Sequence, residues 1–222
     1  MAVAFDASMT GGNSSDGLDQ NVSAATSISS TGMTTGGSAS LLVAVFEWQN
    51  STADITGRSS TWNSVSSTEG PSILQTSGAR RNRVSIFTLV SPASGNKTLA
   101  GAWTTASDCY MSCASFTGTD TTTGIQTADS TTASGTTTIT VTSDANGATV
   151  AVFGVDGATP TVNFTKIFAE APLNPGGGAS YTLGGTSNGH TFTGAGGTIQ
   201  SLAGVHVIAA AATQSPCMFR GG

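Results

Sequence analysis

One formal match to a catalytic motif occurs in this chain: Gly185-Thr186-Ser187-Asn188-Gly189, the G-x-S-x-G spacing of a nucleophile elbow, with His190 beside it. An elbow works because an apolar strand turns sharply into a helix and lifts the serine clear. Here a glycine-rich stretch precedes Ser187, and a short strand-like segment, His190 to Gly194, follows it. In a chain so rich in glycine and serine the match arises by chance, and a loop is expected. Glycoside hydrolysis needs two carboxyl groups facing one cleft. Glu47, beside Trp48, is a candidate for one of them, but its place at the end of an apolar run reads more simply as the point where a strand emerges into solvent. No catalytic residue is assigned, and the chain is not expected to be an enzyme.

Metal and redox chemistry find as little to work with. His190 and His206 are the two histidines, and His206 falls in a strand-like run on the face of Leu202 and Ile208, where a lone histidine is a hydrogen-bonded packing residue. No C-x-x-C, H-x-H or clustered acidic loop is present, so neither a metal nor a cofactor is expected. Calcium on loop carbonyls and the scattered Asp16, Asp19 and Asp54 stays open. Cys109 and Cys113 lie four apart in a strand-like segment, on one face and about 13 Å from each other by strand rise, too far to bridge. They are expected to be buried thiols, with a bond from either to Cys217 left open.

Two groups suit binding. Arg80-Arg81-Asn82-Arg83 is the basic concentration of an otherwise acidic chain. Arg80, Arg81 and Arg83 are candidates to pair with carboxylates of a neighbouring subunit, where bidentate geometry sets register. The alternative is a charged edge that blocks unwanted strand pairing. Among Trp48, Trp62 and Trp103, Trp62 lies in a polar stretch and is the one expected to be exposed, as an interface residue or a stacking platform for sugar rings.

The elements that must carry these groups are strands. Short apolar or alternating runs separated by glycine, asparagine, serine and proline indicate an all-β fold, an antiparallel sandwich with long polar loops and little or no helix. Strands are expected at residues 2–6, 41–48, 83–90, 97–103, 109–116, 136–142, 148–155, 162–168, 179–183 and 202–211. Residues 41–48 and 83–90, apolar on both faces, should sit mid-sheet. Residues 97–103 are expected as the hairpin partner of 83–90, and 148–155 as the partner of 136–142, in which Ile139 and Val141 face the core. Residues 8–38, 50–78 and 170–200 read as long loops. The apolar run at 202–211 has no later partner and must pair back, so residues 1–222 are expected to form one domain.

Charged residues make up 9% of the chain, against about 25% ordinarily, with threonine, serine, glycine and alanine in their place. Such a surface is neutral and hydroxyl-rich, and close contact with protein or sugar requires little desolvation of charge. A net charge of −5 offers no footprint for nucleic acid or anionic lipid, and neither partner is expected.

Taken together, Ala2–Ala7, LLVAVFEW, NRVSIFTLVSPASGNKTLAGAW, CASFTGTDTTTG and the late SLAGVHVIAAA resemble a β-sandwich module of bacteriophage virion proteins and some secreted bacterial surface proteins. The resemblance extends from Val3 to about Ala211. It implies a jelly-roll-like sandwich with roles in assembly or attachment and no catalytic residues. The chain opens at Met1 directly on the first strand, with no export signal and one module, which fits a stand-alone phage component. The implied role is a capsid decoration or cement protein that binds the major capsid protein as an oligomer in the virion, assembled in the host cytoplasm. A tail or fibre part, or a secreted adhesive module binding host-surface glycans, is the alternative.

Overall fold

The computed structural model describes residues 1–14, 17–133, 137–155, 159–170, 176–193 and 200–211, and among these every regular element is a β-strand. In chain order they are β1 (Ala4–Ser8), β2 (Gln20–Thr35), β3 (Leu41–Asn50), β4 (Ser59–Trp62), β5 (Val65–Ser66), β6 (Thr68–Ser77), β7 (Arg80–Val90) and β8 (Gly95–Thr117). They continue with β9 (Ile125–Ala133), β10 (Thr137–Thr142), β11 (Ala148–Val155), β12 (Thr161–Val162), β13 (Thr165–Glu170), β14 (Gly176–Leu183), β15 (Ser187–Thr193) and β16 (Gln200–Val207). All pairings are antiparallel. The fold is an all-β sandwich.

Its spine is β8, at 23 residues the longest strand. Along one edge it takes β1 and then β2; along the other it takes β3 and then β4. The sheet runs β5-β4-β8-β3-β7-β6 and curls, so that the first half of β8, with β2, lies over the face of β3 and β7. A second sheet, β13-β14-β11-β16-β9, and a small third one, β10-β15-β12, complete the stack.

Alternation along β3 shows how the layers are glued. Leu41, Val43 and Val45 point into a core shared with Val150, Val152, Val205 and Val207 of the second sheet. Leu42, Ala44, Phe46 and Trp48 point the other way, into the curl, against Ile28, Met33, Phe87, Leu99 and Trp103. The strand is therefore covered on both faces, as its unbroken apolar character requires. The curl closes tightly: a Cβ on Gly101 would lie 2.5 Å from Cε1 of Phe46, so only glycine fits there. A third cluster, including Ile139, Phe153, Phe192 and Leu202, joins the second sheet to the third.

Several pairings differ from the sequence expectation, each for a packing reason. β7 has both edges filled, by β3 and β6, so residues 97–103 do not form a hairpin with it; they continue into 109–116 as β8. Residues 136–142 do not pair edge to edge with β11 either. Because both edges of β11 are already filled, by β14 and β16, β10 packs face to face over that sheet, with Ile139 and Val141 inward, and takes its hydrogen bonds from β15. Room for this comes from Gly204, where a Cβ would stand 2.5 Å from Val141. The stretches 8–38, 50–78 and 170–200 are not simply loops: they carry β2, β4 to β6, β14 and β15. Their threonine and serine residues alternate against small apolar ones, a weak period-2 signal that glycine obscures.

Candidate functional site

The groups singled out in the sequence are dispersed, and most of their bonding capacity is used inside the chain. Ser187 opens β15 opposite Thr142, after a turn at Gly184 and Gly185, and no strand-to-helix elbow is present. It is exposed, whereas His190, three residues on, is buried on the other side of the strand. Thr149 Oγ1 and Ser180 Oγ each lie 2.8 Å from a ring nitrogen of His190, and the ring of Phe164 packs edge-on against it. With both nitrogens engaged by hydroxyls, one as donor and one as acceptor, the imidazole is held neutral; burial pulls its pKa down to about 4. His206 is a packing residue, with Nε2 3.2 Å from Asp144 Oδ2.

Glu47 is not where its strand emerges. It is fully buried on the face of Val43 and Val45, between the first and second sheets. Asn82 Nδ2 donates to its Oε1 at 2.5 Å, and Gly154 closes over the pair, since a Cβ there would meet both side chains. Burial pushes the Glu47 carboxyl well above its usual range; the Asn82 bond offsets part of this, and the charge of Asp108 adds to the rise. Glu47 is thus a buried polar group of the core, bonded to Asn82.

Trp62 is likewise not exposed. Its side chain is buried within the curl and its Nε1 donates to Ala93 O at 2.8 Å. Pairing of β4 with β8 explains this, since it turns Trp62 into the layer that holds Trp48 and Trp103. All three tryptophans are buried, and none offers a ring to a sugar.

Of the basic group, Arg83 is committed internally. Its Nε and Nη2 donate to the two oxygens of Asp54 at 2.9 and 2.8 Å, and Nη1 donates to Ser72 Oγ at 2.9 Å. Burial raises the Asp54 carboxyl, but the bonds and charge of Arg83 outweigh this and hold it below the usual range. A parallel fork joins Arg58 to Glu69, and Ser85 Oγ donates to Glu69 Oε1, so the segment 51–58 is clipped to β6 and β7. Arg81 Nη1 donates to Gly78 O and Arg80 O, bracing the turn into β7. Arg80 is exposed and lines a polar cavity at the end of the first sheet with Gln49, Asn50 and Asp108.

Among the described residues no group of three His, Cys, Asp or Glu side chains could hold a metal ion. Asp16 and Cys217 lie outside the described residues; Cys109 and Cys113 are buried free thiols, both raised by desolvation. Comparison with known families, with curated proteins and with solved structures finds no match to this chain.

Proposed function

We propose that this protein is a structural component of a bacteriophage virion, a capsid decoration protein that binds the major capsid protein through preformed β surfaces. The observation that carries the reading is the outward face of the small third sheet. There Thr138, Thr140 and Thr142 of β10 are exposed beside Thr191 and Ser187 of β15, and Thr138 Oγ1 stands 2.8 Å from Thr191 Oγ1. Such a face is rigid, uncharged and hydroxyl-covered. It can be desolvated against another protein without stripping water from ions, and many modest contacts repeated over a symmetric lattice supply avidity. The internal ion pairs support the same view, because Arg58 and Arg83 stiffen the scaffold and do not reach outward.

Immunogold electron microscopy of purified phage particles, with antibody raised to this chain, tests the proposal. Label distributed over the shell supports it. Label confined to the tail tip, or absent from particles, overturns it.

A further inference from the structure

We propose that the cavity beside Arg80 is a binding site for a single neutral sugar ring, with Asp108 accepting from two adjacent hydroxyls and Arg80 and Gln49 donating to ring or hydroxyl oxygens. The inference goes beyond the structural role above and does not rest on it. The cavity, of about 280 Å³, is lined among others by Gln49, Asn50, Ser51, Arg80, Ser107 and Asp108. That volume is at the small end for ligand pockets, room for one ring and not for a chain of them.

The walls are fixed before any ligand arrives. Gln49 and Asp108 face each other as register partners on β3 and β8. Ser23 Oγ and the Ala24 N–H donate to Asp108 Oδ1 at 2.6 and 3.0 Å, which orients the carboxylate; among the described residues no donor bonds to Oδ2. Ala24 reaches that position through a left-handed backbone, φ 49°, an uncommon conformation for alanine. Asn50 holds the opposite wall: its Nδ2 donates to Ala106 O at 2.6 Å, and its Oδ1 accepts from the Thr52 and Ala53 N–H groups. Gln49 Nε2 is buried with no hydrogen-bond partner, an unmet donor at the cavity wall.

Charge chooses the ligand class. An anion drawn to Arg80 would meet the Asp108 carboxylate on the same cavity, and a cation drawn to Asp108 would meet the guanidinium. A neutral polyol suits both, since each hydroxyl donates and accepts, and an ionised acceptor binding two hydroxyls makes the stronger kind of hydrogen bond. Among the described residues the lining holds no aromatic side chain, so recognition there is polar.

The test is saturation-transfer NMR titration of the full chain with glucose, galactose and mannose, and with their methyl glycosides, which mimic the end of a glycan chain. The variants are Arg80→Ala, on an exposed side chain, and Asp108→Asn, which keeps an oxygen for Ser23 and Ala24. Saturable binding of at least one of these sugars, weakened about tenfold or more in each variant while the variant still unfolds cooperatively, supports the site. Methyl glycosides binding as well as free sugars would identify a glycan terminus; loss on methylation would identify a free sugar. No saturable binding by any of them, binding unaffected by both substitutions, or binding of inorganic phosphate in place of sugar would overturn it.

Discussion

Replacing Glu47 by glutamine should make this protein more stable at neutral pH, and the gain should grow with pH in a way that only this carboxyl can produce. Glu47 is buried between two sheets with Asn82 as its hydrogen-bond partner, and its folded pKa is raised well above the ordinary value of 4.5. Below that ordinary value the acid is neutral whether the chain is folded or unfolded, and its full contribution is present. As pH rises toward the folded pKa, the unfolded chain releases the proton and the folded one keeps it, so stability falls by about 1.4 kcal/mol per pH unit. Glutamine keeps the shape and the Asn82 bond but has no proton to lose. Urea unfolding of both proteins from about pH 4 to about pH 7 is the assay. The two should agree at the acid end and diverge as pH rises toward the folded pKa of Glu47, Glu47→Gln being the more stable. Parallel curves, or a glutamine variant weaker by a constant amount, would refute the raised pKa of this buried acid.

His190 works in the opposite direction. Its pKa falls from 6.5 unfolded to about 4 folded, so stability is complete above pH 6.5 and is lost on acidification toward pH 4, by about 3 kcal/mol in all; His190→Gln should flatten that limb of the urea-midpoint profile. Gly101→Ala should cost about 1–3 kcal/mol, because the added methyl meets Phe46, and Phe46→Leu in the same chain should recover part of the melting temperature. Arg83→Lys forfeits the two-pronged bond to Asp54, and for a partly exposed pair the loss should be about 1 kcal/mol in the urea midpoint.

What the sequence discloses is the alternation within strands; what it conceals is the pairing between them. Residues 41–48 and 83–90 announce themselves as central strands, and the opposite facing of Val84 and Ile86 against Phe87 is observed in the two cores. The same alternation places Glu47 with Val43 and Val45 on the inward face, a signal that its end-of-run position masks. Trp62 is misjudged from its polar neighbours because a four-residue strand has too few positions to reveal a buried side. The join of 97–103 to 109–116 through Thr104-Thr105-Ala106-Ser107-Asp108 is invisible to periodicity, since those residues suit a loop as well as a bent strand. The cavity at Gln49 and Asp108 depends on that register, with partners 59 residues apart in sequence brought opposite each other on β3 and β8. Arg80 can be noted from its basic neighbours, but not that it lines a cavity while Arg83 turns to Asp54.

Counting copies of this chain per purified phage particle by quantitative mass spectrometry tests the central claim most directly. A role in decorating the shell predicts a number on the scale of the capsid lattice, in the hundreds and fixed relative to the major capsid protein; a chain absent from particles, or present in only a handful of copies, would contradict it.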